Sequence, residues 1–112
     1  MKIAISSTGE DKSSEVSPVF ARSPYFIIAE TEDGKTKWSE TIENNNNGQP
    51  SGAGITTAQM MAENNVEAVI AGNIGPRALD ILKQFGIKSY AASGKVEEAL
   101  QNVVEGRVEE VN

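Results

Sequence analysis

Between Ser51 and Pro76 the apolar positions change their period twice. Ile55, Ala58, Met61 and Ala62 recur at helical spacing, which predicts an amphipathic helix that begins at Ser51-Gly52-Ala53-Gly54. Asn64-Asn65 ends it, because asparagine tolerates the left-handed conformation in which helices stop. Val66 to Ala71 is then a nearly continuous apolar run around β-branched residues, as expected of a strand covered on both faces. Gly72-Asn73-Ile74-Gly75 turns the chain, and Pro76 suits the first turn of a new helix, where its missing N–H costs nothing. The stretch predicts helix, buried strand, glycine turn, helix.

The flanking pattern extends this unit. Lys2–Ser6 reads as a first strand, with Ile3, Ala4 and Ile5 apolar, and the polar run Ser7–Ser17 as a loop. Pro18–Pro24 is expected to be an ordered loop, since proline withholds a ladder N–H. Tyr25–Glu30 is aromatic and β-branched, a second strand. Asp33-Gly34 signals a hairpin into a third strand, Lys35–Glu43, at a sheet edge. Alternation there predicts Trp38 and Ile42 on one face and Lys37, Ser39 and Thr41 on the other. Asn44–Pro50 (NNNNGQP) reads as an exposed loop, with a lid over a ligand as the alternative. A helix over Arg77–Phe85 should turn Ala78, Leu79, Leu82 and Phe85 inward and stop at Gly86. Ile87–Ala91 is a fifth strand, and Ala92-Ser93-Gly94 a third glycine turn. Val96, Ala99, Leu100 and Val103 form the buried face of a third helix that Gly106 ends. Arg107–Val111 either pairs as a strand or hangs free.

The order β, β, β, α, β, α, β, α predicts an α/β fold: a five-stranded mixed sheet with helices on both faces. Strands one, four and five would be the parallel neighbours, with the hairpin meander at one edge. The length of 112 residues is expected to make one domain, residues 1–112. A net charge of −6 argues against nucleic acid or an anionic membrane as partner, which clustered Lys and Arg would serve. With no spanning apolar run, and a strand-like segment starting at Met1-Lys2-Ile3, a cytoplasmic monomer is expected.

Absent residue types narrow the chemistry further. The chain has no Cys and no His. Thiolate catalysis, thiolate-held clusters and imidazole acid–base chemistry are therefore excluded. What remains is backbone. Glycine turns let main chain approach a ligand, and helix N-termini offer unpaired N–H groups with partial positive charge. Ser51, Gly52, Ala53 and Gly54 at one helix start, with Gly72, Asn73, Ile74 and Gly75 at the other, form a candidate anion site if the two converge. The structural alternative is that these glycines only permit tight packing of helix on sheet. A nuclease would need gathered carboxylates for metal ions, and the first strand ends in Ser6-Ser7 with none.

Three segments carry a family resemblance: VFARSPYFII (Val19–Ile28), GAGITTAQMMAENNVEAVIAGNIGPRALDILKQFGIKSY (Gly52–Tyr90) and SGKVEEAL (Ser93–Leu100). In them the chain resembles the dinitrogenase iron–molybdenum cofactor biosynthesis family, the NifX-like proteins and the C-terminal part of NifB. The resemblance implies a three-layer α/β/α fold with a ribonuclease-H-like motif. It also implies non-catalytic binding or carriage of an iron–sulfur or iron–molybdenum cofactor or precursor, with cofactor-assembly proteins as partners. Many relatives carry His in the position of Val19, within a segment that reads Val19-Phe20-Ala21-Arg22 here. Without it, the resemblance leaves electrostatic capture of an anionic cluster at the helix N-termini, with Arg22 as counter-charge. Arg22 has a plainer alternative, a loop arginine bonded to carbonyls. Another small anion, such as a phosphorylated metabolite, is the rival ligand.

Overall fold

The computed structural model describes residues 1–111. Its strands are β1 (Lys2–Ser7), β2 (Tyr25–Glu32), β3 (Lys35–Glu43), β4 (Ala68–Ala71) and β5 (Lys88–Ala91). Its helices are α1 (Ala53–Glu63), α2 (Pro76–Gln84) and α3 (Val96–Val104), with a short 3₁₀ turn at Phe20–Arg22. The sheet runs β3-β2-β1-β4-β5. β1 pairs antiparallel with β2 and parallel with β4, and β4 is parallel to β5. This is the expected mixed sheet, with its meander at one edge and β1 at the centre. It is compatible with a ribonuclease-H-like motif.

Alternation along β1 divides the core. Ala4 points to a layer with Phe26, Ile28 and Val69, covered by Ala58 and Met61 of α1 and Ala78 and Leu82 of α2. Ile3 and Ile5 point the other way, to Ile27, Ala29 and Ile70, covered by Val96, Ala99 and Leu100 of α3. Each fully buried Ile or Leu contributes about 1.5–3 kcal/mol, so both layers hold the sheet. No helix is long and apolar enough to cross a membrane among the described residues.

Three expectations need correction. Trp38 and Ile42 do not share a face. Ile28 pairs with Glu40 and Ala29 with Trp38, which leaves Ser39 unopposed in a β-bulge. One extra residue inverts the alternation, so Trp38 packs on the α3 side and Ile42 on the α1/α2 side. Phe85 does not turn inward. It caps α2 and is 54% exposed, because the helix ends before it, and the core position passes to Ile87. Asn44, expected in an exposed loop, is buried. Its Nδ2 donates to the carbonyls of Ser23 (2.8 Å) and Ala21 (3.4 Å). The C-terminal segment pairs: Val111 N–H donates to Ser89 O at 2.7 Å, beside a bridge between Tyr90 and Glu110.

Candidate functional site

The parallel strands β1 and β4 end on one rim, where two of the glycine turns meet. Pro18–Ser23 lies across the β4–α2 turn. Gly72 N–H donates to Ser17 O (3.0 Å), and Phe20 N–H to Asn73 O (2.9 Å). Phe20 anchors the segment, fully buried and edge-on to Phe26 at 5.4 Å. The approach at Gly72 is too close for any other residue. A Cβ there would sit 2.7 Å from Pro18 Cα and 2.8 Å from its carbonyl oxygen.

On the same face α1 and α2 meet at their starts. A Cβ on Gly54 would lie 3.3 Å from that of Ala78. The backbones therefore approach closely, and a groove of about 360 Å³ opens between the helix starts and the Pro18–Ser23 segment. Gly54, Asn73 and Gly75 line it. So do Val19 and Ala21 on one wall, and Pro76, Arg77 and Ala78 on the other.

The remaining candidates stand behind this lining. Ile74 and Ala53 are buried. Gly72 is covered by Pro18. Gly52 leads into α1 at φ 73°, a conformation that favours glycine, beside an exposed Ser51 whose carbonyl accepts from Gln49 Nε2 at 2.6 Å. Arg22 lies outside the groove lining, and its Nη1 donates to the carbonyls of Asn47 (2.9 Å) and Gln49 (2.7 Å). That contact ties the loop before α1 to the 3₁₀ turn.

Neither helix start has a side-chain cap. The first internal bond of α1 runs from Thr56 N–H to Gly52 O, and that of α2 from Leu79 N–H to Gly75 O. The amides before them, including those of Gly54, Arg77 and Ala78, make no hydrogen bond among the described residues. Arg77 is exposed and forms no salt bridge among the described residues. A cation at the positive end of a helix is unfavourable by about 0.3–1 kcal/mol. Sequence reasoning passed over Arg77, although a basic residue directly after an N-terminal proline runs against that preference and could have marked it.

The third glycine turn lies on the other face and is occupied by the chain itself. Val96 N–H donates to Ser14 O (2.9 Å), and Glu97 N–H to Lys12 O (3.0 Å). Val16 N–H reaches Gly94 O at 2.8 Å. The strap from Glu10 to Val16 is held by Thr41 Oγ1 donating to Glu10 O (2.8 Å) and by Lys12 Nζ over the Trp38 ring at 5.6 Å. Asp11 accepts from Ser13 Oγ and from Ser13 N–H (2.9 Å), which holds its carboxyl below the usual value of 3.8.

The groove surface is mainly apolar; its lining includes the starts of α1 and α2, Asn73 and Arg77, and no carboxylate. No cluster of three or more His, Cys, Asp or Glu able to hold a metal ion occurs among the described residues. Uncapped helix starts with one guanidinium beside them can offer charge and hydrogen bonds to an anion.

A family model described as "Dinitrogenase iron-molybdenum cofactor" matches residues 1–106. A Thermotoga protein solved by NMR, provisionally described as NifB and of the DUF35 family, is 41% identical with a TM-score of 0.80. The match covers 97% of this chain and 91% of that one. The apo form of the orange protein from Desulfovibrio gigas superposes with a TM-score of 0.87 at 26% identity, covering 98% and 92% of the two chains. An uncharacterized protein of Methanocaldococcus jannaschii is 39% identical over 95 residues, which is 84% of this chain and 80% of that protein.

Proposed function

The chain belongs to the dinitrogenase iron–molybdenum cofactor family, and from that premise we propose that it binds and carries an anionic iron–sulfur or iron–molybdenum cofactor or its precursor. The cluster is cargo, held without being transformed, and residues 1–112 act as one cytoplasmic binding domain that passes it to cofactor-assembly proteins. One observation supports the reading: two uncapped helix starts line one groove beside Arg77, which forms no salt bridge among the described residues. Gly54, Asn73, Gly75 and Arg77 would touch the cargo. Ser51, Gly52, Ala53, Gly72 and Ile74 would set the backbone that presents those amides. Arg22 would support the wall by fixing the preceding loop.

Without Cys or His the chain has no thiolate or imidazole donor for the iron, so in this reading recognition rests on the outer charge of the cluster. That same fact favours a second reading, a small oxyanion such as a phosphorylated metabolite. Anaerobic titration with the isolated iron–molybdenum cofactor, followed by amide chemical shifts, separates the two. Saturable shifts at Gly54, Asn73, Gly75 and Arg77 are expected with the cluster. Shifts with inorganic phosphate alone would transfer the groove to the second reading, and silence with both would remove it as a site.

A further inference from the structure

Asn47 alone among the asparagines is followed by glycine. Both Asn47 and Gly48 are exposed, in the turn between β3 and α1. Neither the Asn47 side chain nor the Gly48 N–H makes a hydrogen bond among the described residues. A side chain at residue 48 would shield its nitrogen, and glycine supplies none. These are the conditions under which a main-chain nitrogen attacks the preceding carboxamide.

The structure adds a group that promotes the attack. Arg22 Nη1 donates to the main-chain carbonyl of Asn47 at 2.9 Å, and this carbonyl belongs to the same peptide group as Gly48 N. A cation on the carbonyl oxygen stabilises the negative charge that the peptide acquires when the nitrogen loses its proton. We infer that Asn47-Gly48 is a self-modifying site, at which Arg22 activates intramolecular deamidation and directs it toward isoaspartate.

The steps balance without any co-reactant except water. Gly48 N loses its proton and bonds to Asn47 Cγ. The Cγ–Nδ2 bond breaks, and Nδ2 leaves as ammonia with that proton. The resulting succinimide has two carbonyls, and Arg22 polarises the one that was main chain. Water adding there breaks its bond to nitrogen, so the chain continues through the former side chain. The former main-chain carbonyl becomes a carboxylate on the oxygen that Arg22 already holds. A contact between a cation and a neutral carbonyl turns into an ion pair, and the chain gains one negative charge beyond its −6.

Peptide mapping by mass spectrometry after incubation of the full chain at neutral and mildly alkaline pH tests the inference. Asn47 should convert faster than Asn45 and Asn46, with isoaspartate the main product and a rate that rises with pH. Arg22→Gln keeps a donor but removes the charge, and should slow conversion by about tenfold, the value of one charge-assisted hydrogen bond. Gly48→Ala should suppress conversion and leave the fold intact, because nothing lies within 4 Å of the added Cβ. In the urea-unfolded chain, Arg22→Gln should make no difference. Conversion at Asn47 no faster than at its asparagine neighbours would overturn the site. An unchanged or faster rate in folded Arg22→Gln would overturn the role of Arg22.

Discussion

Two sets of helix starts follow strands of the same sheet, and they have opposite fates. At α3 the chain returns its own strap and places Ser14 O and Lys12 O on the first-turn amides. At α1 and α2 the segment Ser17–Ser23 crosses the rim but bonds to the turn before α2, at Gly72 and Asn73, and makes no bond to the first-turn amides of either helix. The difference comes from which atoms the crossing segment offers. The strap presents carbonyls to a helix N-terminus and seals it. The 3₁₀ segment buries Phe20 in the core and turns Val19, 40% exposed, toward the groove. A sealed helix start contributes stability, whereas an open one keeps its polarity for a ligand.

The largest way to break this comparison is Gly72→Ala. The new methyl meets main-chain atoms of Pro18 at 2.7 and 2.8 Å, which cannot rotate aside. A loss of about 3 kcal/mol is expected, at the upper end of overpacking costs, with the melting temperature lowered by on the order of 10 °C. Gly75→Ala is the matched control. Nothing lies within 4 Å of its Cβ and its φ is −63°, so thermal unfolding should be unchanged. A large loss at Gly75 and none at Gly72 would mean that the crossing segment is not seated as described.

Gly54→Val comes next. Its Cβ would contact that of Ala78 at 3.3 Å, and the branched methyls then force the two helix starts apart. Destabilisation of about 2 kcal/mol in urea unfolding is expected, together with loss of groove amide shifts on titration. Full ligand response in a folded Gly54→Val chain would show that α1 and α2 need not converge for binding.

Arg77→Ala separates binding from folding. Removing a cation from the positive end of α2 should leave stability unchanged or raise it by a few tenths of a kcal/mol. Affinity for the anionic cargo should fall by about tenfold, the value of one charge-assisted hydrogen bond. Isothermal titration alongside thermal unfolding reads both. A drop in stability with no change in affinity would reverse the assignment.

Much of this architecture was legible in the chain because periodicity reports burial. The run Val66–Ala71, the helical faces and the Asp33-Gly34 hairpin gave the element order, and the order restricts the winding. The bulge was not legible: nothing in Lys37-Trp38-Ser39-Glu40 marks Ser39 as unopposed, since register is decided by the partner strand. Phe85 was misplaced because helical spacing holds only as far as the helix does. Of the site, the glycine-rich helix starts were visible as sequence and their convergence was not. That depends on Gly54 meeting Ala78, two residues brought together only by packing on one face.

The smallest test concerns the sealed end. Asp11 holds the strap through Ser13, and this bonding depresses its carboxyl below 3.8. A carboxyl whose folded value lies below its unfolded one contributes stability that is present above the unfolded value and lost as pH falls through the folded one. Asp11 is fully exposed, so the effect on global unfolding is small. The local effect should be readable. As pH falls from 5 to below 3.8, toward the lower folded value of Asp11, exchange protection at Val96 and Glu97 should decline after correction for intrinsic rates. Asp11→Asn should show the reduced protection already at pH 5. The amides of Thr56 and Leu79, the first bonded in α1 and α2, should show no matching change, and if they fell in parallel the loosening would belong to the whole fold and the two faces would not be independent.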